Sequence, residues 1–180
     1  MDTNSLVGAC KKQDSKAQKE LYERYSELLF RVCYRYVKNR FDVEDLVISS
    51  FMKIFKSISQ FEYRDEKSLE GWMKRVVINE SLMLLRKNNS FHMIAESGAE
   101  ELSCDLSPIS AMQEEDIYNL ISELPTGYRT VFNLYVVEGY SHKEIAEKLE
   151  ISENTSRTQL KKARNSLAEM IQKEGGKYGS

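Results

Sequence analysis

Residues 141–167, SHKEIAEKLEISENTSRTQLKKARNSL, predict two short helices joined by a tight turn. Ser141 is a suitable N-cap and Glu144 follows three residues later, so the pair can form a capping box that satisfies two backbone donors. Residues 150–152 supply the turn, and Ser152 can cap the second helix. Glu150 stands where such turns commonly have glycine, and the left-handed conformation costs other residues roughly 1 kcal/mol. The stretch therefore predicts a helix-turn-helix.

The second helix of this hairpin carries its cations on one side. Its apolar positions, Leu160, Ala163 and Leu167, recur at helical spacing and turn inward. The exposed basic residues are then Arg157, Lys161, Lys162 and Arg164. Basic side chains in this position suit phosphates and purine edges of DNA. The alternative is an amphipathic hairpin whose basic face is merely solvated, and the hairpin by itself leaves both open.

The charge of the chain is unevenly distributed. Residues 1–89 hold 17 Lys and Arg against 13 Asp and Glu, and residues 125–180 hold 9 against 7. Residues 90–124 hold 8 acids and no Lys or Arg, so the net charge of −2 hides two basic ends and an acidic middle. Because only the local potential steers a polyanion, this layout matters for nucleic-acid partners. It also favours two small domains over one.

Other classes of function are poorly supported by the composition. The three cysteines, Cys10, Cys33 and Cys104, are scattered, which disfavours a disulfide framework or a zinc site. His92 and His142 are too few for a histidine metal site, so we expect no metal, no cofactor and no helical metalloenzyme. No apolar run approaches the roughly 20 residues of a membrane span, and the N-terminus does not resemble a signal peptide. We expect a reduced, cytoplasmic protein without membrane insertion.

Helical periodicity predicts three helices in the first half of the chain. The first spans residues 15–37, and the second is capped by Asp42 and runs to about Ile58. A loop without periodicity follows, and Ser68 can cap the third helix, residues 69–87. We find no strand run with convincing alternation, so this half is predicted to be helical.

Four more helices are predicted in the second half. Residues 88–107 are polar and acidic, the composition of a flexible linker, and Pro108 ends them. One helix then runs from Ile109 to Leu124, and Pro125 opens another that reaches Gly139, a suitable residue for a helix C-terminus. The helix-turn-helix follows directly. The fold class predicted for the chain is all-α, with seven helices.

The second predicted helix is apolar over about half its circumference, more than one core needs. One interpretation is a central helix that touches two neighbours in its own bundle. The other is a helix that offers Ile48, Met52 and Phe55 to another protein, because an exposed apolar patch marks a partner site. The sequence does not decide between them.

Aromatic and basic residues alternate around the loop that precedes the third helix. Phe61, Tyr63 and Trp72 lie among cations. The cations are Lys56, Arg64, Lys67, Lys74 and Arg75. Single-stranded bases stack on such rings, and each stack contributes roughly 1–3 kcal/mol. Alternatively, these rings cap the core of the bundle.

In order and spacing, these parts resemble a bacterial RNA polymerase sigma factor of the extracytoplasmic-function (ECF) type. The resemblance is carried by DVEDLVISSFMKIFKSI at residues 42–58, GWMKRVVINESLMLLRK at 71–87 and ISELPTGYRTVFNLYVVEGYSHKEIAEKLEISENTSRTQLKKARNSL at 121–167. It covers about residues 13–172 and includes the acidic linker.

The resemblance implies a region 2 domain at residues 10–88, an acidic linker at 89–108 and a region 4 domain at 109–172. It implies that helix 42–58 binds the clamp helices of the polymerase β′ subunit, through Asp45, Ile48, Met52 and Phe55. It also implies that the loop captures a flipped base of the minus-ten element while the next helix helps to open the duplex. The DNA-contacting residues implied there are Lys56, Phe61, Tyr63, Arg64, Trp72, Lys74, Arg75 and Asn79.

In the second domain, the resemblance places the recognition helix in the major groove of the minus-thirty-five element. The residues implied are Arg157, Thr158, Lys161, Lys162 and Arg164. Further expected partners are the polymerase β flap and an anti-sigma factor. Catalysis would belong to the polymerase, so this chain is not expected to be an enzyme.

Two positions depart from the pattern of the sigma factor family. Ile48 stands where the family usually has Gln, and Met83 where it usually has Asp.

The acidic linker either mimics a polyanion near the polymerase active centre or is an inert tether. The alternative function is a helix-turn-helix transcriptional regulator that does not bind core polymerase, although the first half lacks the alternating strands of a receiver domain.

Overall fold

The computed structural model describes residues 1–88 and 114–178, and this part of the chain is α-helical without a strand. The chain divides into two compact units, Met1–Leu84 and Leu85–Ser180. The predicted all-α fold with two helical domains is confirmed. The exact domain limits given above stay predictions.

Two expectations concern residues outside the described part. The predicted acidic linker, residues 89–108, lies there, and so does the predicted start of a helix at Ile109.

The helices of the first unit begin at side chains that accept backbone hydrogen bonds. Asp2, Asp14 and Asn39 accept from the first-turn amides of Ser5, Ala17 and Phe41 at 2.9–3.0 Å. The helices are α1 (Thr3–Lys11), α2 (Ser15–Tyr34), α3 (Arg40–Ser57) and α4 (Glu66–Lys87). A single 3₁₀ turn, Ile58–Gln60, continues α3.

The core of the first unit is formed by α2 and the helices packed on it. Helix α2 packs against both α1 and α3. The largest fully buried side chains of the first unit include Leu6, Leu21, Leu29, Tyr36, Ile54, Met73 and Ile78. Helix α4 is joined to α2 by polar contacts: Cys33 Sγ lies 3.3 Å from Ser81 Oγ in the core, and Tyr25 donates to Glu66 Oε1 at 3.1 Å nearer the surface. Lys53 of α3 and Glu80 of α4 form an ion pair at 2.6 Å.

Three features of this unit differ from the sequence prediction. Helix α1 was not predicted; it is nine residues long and buries Leu6, Val7 and Cys10, so packing on α2 stabilises it. The cap of α3 is Asn39 and not Asp42, which lies in the first turn. Helix α4 begins at Glu66, so Ser68 lies within the first turn and is not the N-cap.

The second unit is built around α8, the longest helix of the described chain. Its helices are α5 (Glu114–Glu123), α6 (Thr126–Phe132), α7 (His142–Leu149) and α8 (Glu153–Tyr178). Helices α5, α6 and α7 each pack against α8. The core side chains include Leu120, Leu124, Val131, Leu134, Ile145, Leu149, Leu160, Ala163 and Leu167.

Helix α6 ends in a wider turn that the sequence did not predict. Residues Asn133–Val137 form a π-helical segment, in which the Glu138 amide donates to the Asn133 carbonyl at 3.0 Å. Gly139 then adopts φ 77°, and this left-handed residue ends the helix where the sequence predicted. The chain is thereby turned towards the start of α7.

Candidate nucleic-acid interface

Helices α7 and α8 form the helix-turn-helix that the sequence predicted. Ser141 Oγ accepts from the Glu144 amide, and the Glu144 carboxylate accepts from the Ser141 amide at 2.8 Å, so the capping box is present. These hydrogen bonds hold the pKa of Glu144 below its usual value. Glu150 adopts φ 57°, the predicted left-handed turn, and Ser152 Oγ accepts from the Thr155 amide at 2.9 Å. Local side chains thus fix both helix starts and the turn between them.

The first half of α8 presents three of the predicted basic residues to solvent. Arg157, Lys161 and Arg164 are exposed, and with roughly 100° per residue they lie within about 60° of one another along the helix. Thr158 and Lys162 are half-buried and lie to one side of that row. The five predicted residues therefore occupy a broad face whose centre is opposite the buried Ser156, Gln159 and Ala163.

Arg157 has a defined ionic partner on the same helix. Its Nη2 atom lies 3.0 Å from Glu153 Oε2, one turn earlier, and both side chains are largely exposed. Glu153 was not predicted as a site residue from the sequence. An acid and an arginine four residues apart on a helix predict an ion pair, and this spacing could have identified Glu153 from the sequence.

His142 joins the start of α7 to α8. Its Nδ1 lies 2.9 Å from the Oγ of the fully buried Ser156, and the Tyr135 ring stacks on it with centroids 4.5 Å apart. Burial lowers the pKa of His142, and the charge of Arg157 lowers it further. The folded chain therefore favours the neutral imidazole of His142.

In the first unit, Phe61 and Trp72 stack on each other. Their ring centroids are 4.7 Å apart with an interplanar angle of 20°, and both side chains are half-buried. The loop between them is held by reciprocal bonds: Asp65 Oδ1 accepts from the Ser68 amide at 2.7 Å, and Ser68 Oγ accepts from the Asp65 amide at 3.1 Å. The rings pack on each other and remain accessible. The geometry is therefore compatible both with rings that cap the core and with rings on which single-stranded bases stack.

Helix α4 carries a narrow exposed stripe next to this stack. Trp72, Arg75, Asn79 and Met83 recur at spacings of three and four and therefore share one side of the helix. Lys74 is turned about 160° away from Trp72 and pairs with Glu70 at 3.2 Å. The structure therefore groups Arg75 and Asn79 with Trp72 and separates Lys74 from them.

The remaining residues predicted at this site lie in two places. Tyr63 is half-buried and Arg64 is exposed, both in the loop after Phe61. Lys56 is exposed on α3, one turn after Met52, and lines a groove with Met52 and Phe55. It is grouped with the apolar residues of α3 and not with the stripe of α4.

Helix α3 exposes a row of apolar side chains. Ile48 is 53% exposed and Met52 56%, with Phe55 half-buried and Asp45 exposed beside them. Phe41, 79% exposed, extends this row by nearly two turns. Phe41 was not predicted as part of this row, because residues 39–41 interrupt the helical periodicity. We call Phe41, Ile48, Met52 and Phe55 the α3 apolar face.

The second unit has an apolar pocket of about 300 Å³ between α5, the π-helical segment and α8. Ile117, Tyr118, Phe132, Val136, Leu167 and Ile171 contribute to its lining, and Arg164 lies at it as well. Arg164 therefore belongs to the basic row of α8 and also borders this apolar pocket.

The two cysteines of the described residues are poor candidates for reaction. Cys10 and Cys33 are buried and free, and burial raises the pKa of each thiol to about 11. Because the thiolate is the reactive form, neither is poised for redox chemistry. Cys104 lies outside the described residues.

Within residues 1–88 and 114–178, no three His, Cys, Asp or Glu side chains are grouped as a metal site would require. No helix in the same ranges combines the length and the hydropathy of a membrane span.

Two family matches divide the chain in the same way as its fold. Residues 21–91 match sigma-70 region 2, and residues 114–167 match sigma-70 region 4. Together the two matches cover more than half of the chain.

Characterised relatives are similar over most of the chain. The ECF RNA polymerase sigma-E factor of Haemophilus influenzae is 28% identical over 93% of this chain and 94% of its own length. The ECF sigma factor SigW of Bacillus subtilis is 26% identical over 89% of this chain and 92% of its own length. SigE of Mycolicibacterium smegmatis is 26% identical over 86% of this chain, which spans 61% of that protein.

Among solved structures, the sigma factor RpoE of Bartonella quintana, crystallised with the anti-sigma factor NepR, aligns with a TM-score of 0.49 at 19% identity, over 86% of this chain and 96% of that one.

The chain therefore belongs to the sigma-70 family, as a sigma factor of the extracytoplasmic-function type. Proteins of this class are transcription initiation factors that bind core RNA polymerase and promoter DNA, and they are not themselves enzymes.

Proposed function

We propose that this chain directs core RNA polymerase to promoters by reading two DNA elements, one with each unit. The observation that carries the proposal is the capped helix-turn-helix whose second helix exposes Arg157, Lys161 and Arg164 in one row. Such a helix places its first turns against base edges in the major groove. Helix α8 reads the minus-thirty-five element, with Thr158 and Lys162 at the side of the contact.

The first unit recognises and opens the minus-ten element. The Phe61–Trp72 stack offers aromatic faces, while Tyr63, Arg64, Arg75 and Asn79 surround it. Unstacking a base costs a few kcal/mol, and stacking on an aromatic side chain returns about 1–3 kcal/mol of it. Lys56 and Lys74, which lie apart from this stack, contact the DNA backbone.

The α3 apolar face docks on the clamp helices of the polymerase β′ subunit, with Asp45 beside it to pair with a basic residue there. A chain that exposes Phe41, Ile48 and Met52 together has a surface suited to a partner. The apolar pocket of the second unit receives the polymerase β flap. An anti-sigma factor covers the α3 apolar face when the chain is not bound to polymerase, and the chain acts in the cytoplasm.

The alternative, a helix-turn-helix regulator that does not bind core polymerase, is not favoured. The first unit matches sigma-70 region 2, which such a regulator would not need.

In vitro transcription with core polymerase and a genomic template library tests the proposal. The wild-type chain should select a set of promoters that share two elements. Met52→Asp should abolish initiation and co-migration with core polymerase while leaving the thermal midpoint unchanged, because Met52 is largely exposed. Met83→Asp, an equal change on the exposed side of α4, is the matched control for polymerase binding. Initiation from no duplex would reject the function.

Competition binding by the holoenzyme tests the roles of the α8 cations. Arg157→Ala should relax sequence choice in the upstream element, since an arginine fork can bond to guanine at two points. Lys162→Ala should weaken binding to all sequences alike, as a phosphate contact does. Equal losses on every single-base variant for Arg157→Ala would reject its readout role.

A further inference from the structure

We propose that Glu153 is a specificity-determining residue of promoter recognition, because it positions the Arg157 guanidinium for one base in the upstream element. This inference rests on the proposed function, in which α8 lies in the major groove. Glu153 is a positioning residue here: it acts through Arg157.

The geometry that supports this is the pair within the first turns of α8. Glu153 Oε2 lies 3.0 Å from Arg157 Nη2, and the two residues are four positions apart on the helix. An arginine side chain has many rotamers, and its planar fork discriminates among bases only when it meets an edge in one orientation. A carboxylate one turn earlier restricts those rotamers before DNA arrives. The ion pair thus favours one orientation of Arg157 in the free protein.

The charge of Glu153 has a second effect in the same direction. Because the carboxylate pairs with the guanidinium, Arg157 is less free to bond to a phosphate in place of a base, and phosphate contacts carry no sequence information. The neighbouring positions do not repeat this arrangement, since the next residues of α8 are Asn154 and Thr155. Without Glu153, the guanidinium would be released to bond with any nearby phosphate.

A purely structural role makes a different prediction. Glu153 is the first residue of α8, and an acid there stabilises the helix through its dipole. That role would change the thermal midpoint but not the preference among bases. Base preference therefore separates the two roles.

The test uses full-length chain, core polymerase and a promoter library randomised over the upstream element. Glu153→Gln should lower discrimination at the base read by Arg157 by roughly tenfold, the loss expected when a bidentate contact becomes disordered. Initiation from non-cognate templates should rise. Glu153→Asp keeps the charge but shortens the side chain by one methylene, and it should lose discrimination too. Glu169→Gln, the same charge change at an exposed position further along α8, should leave the preference unchanged.

A double-mutant cycle completes the test. In an Arg157→Ala background, Glu153→Gln should cause no further loss of discrimination, because the residue acts through Arg157. Unchanged discrimination in Glu153→Gln, wild-type discrimination in Glu153→Asp, or an equal loss in the Arg157→Ala background would each overturn the inference. If the wild-type chain selects no promoter, the proposed function itself fails, and the inference fails with it.

Discussion

Trp72 illustrates how much of this protein's chemistry depends on a single side chain and its neighbour. It is the one tryptophan in the sequence, and Phe61 stacks on it at 4.7 Å. The half-buried ring pair presents a surface on which a base can stack. Its fluorescence therefore reports directly on the proposed minus-ten site.

Phe61→Ala should weaken binding of a single-stranded minus-ten oligonucleotide by about 1–3 kcal/mol, the contribution of one aromatic stack. The measurement is titration of the Trp72 emission of the full chain. Tyr118→Ala removes an aromatic ring from the other unit and serves as the control. Tighter binding by Phe61→Ala would mean that Phe61 covers the base-binding face of Trp72.

His142 should make folding of the second unit sensitive to mild acid. Its folded-state pKa is lowered by burial, so protonation is less favourable in the folded chain than in the unfolded one. This contribution to stability is present above about pH 6.5, the usual histidine pKa, and is lost as pH falls through the lower folded-state pKa. Urea unfolding at pH 7.5 and 5.5 measures it. His142→Gln should lose less stability over that range than wild type, and an identical loss would contradict the assignment.

At the scale of elements, short-range bonds decide where each helix of the recognition motif begins and ends. Ser141 and Glu144 cap α7, the left-handed Glu150 ends it, and Ser152 begins α8. Each of these interactions joins residues at most four positions apart. The motif was therefore predictable in detail, including the unusual conformation at Glu150.

Glu150→Gly should stabilise the chain by about 0.5 kcal/mol, because glycine adopts φ 57° without the steric penalty but loses more backbone entropy on folding. Glu147→Gly is the matched control: the same substitution at an exposed interior position of α7 should destabilise by about 1 kcal/mol. Thermal unfolding of both variants gives the comparison. Destabilisation by Glu150→Gly would show that the glutamate side chain contributes more than the strain costs.

At the scale of the whole molecule, each of the two units has its own hydrophobic core. The first unit is organised around α2 and the second around α8, and each has its own set of fully buried side chains. Separate cores permit each unit to present its own surface, the α3 apolar face in one and the α8 basic row in the other. The loss of one core should therefore spare the other unit.

Leu134→Ala tests this independence. Leu134 is fully buried in the second unit, so its truncation should cost about 2–5 kcal/mol there. Hydrogen exchange should rise in α6, α7 and α8 and stay unchanged in α2 and α3. Val136→Ala, at an exposed neighbouring position, should have little effect. Equal loss of protection in both units would mean that they fold as one.

The sequence by itself determined the helical fold class, the helix-turn-helix and the exposure of Arg157, Lys161 and Arg164. These follow from periodicity and from caps, whose hydrogen bonds span a few residues. It failed at α1, whose nine residues are stabilised by packing on α2, and at the start of α4, where Asp65 and Ser68 bond reciprocally and Ser68 is not the N-cap.

Only the tertiary structure decided which side chains meet. It brought Cys33 to Ser81, Lys53 to Glu80 and His142 to Ser156, each pair on two different helices. It also buried Arg129, whose Nη1 donates to the Leu124 carbonyl at the end of α5. Burial and contacts between helices depend on packing among segments far apart in the chain, and no local pattern encodes them.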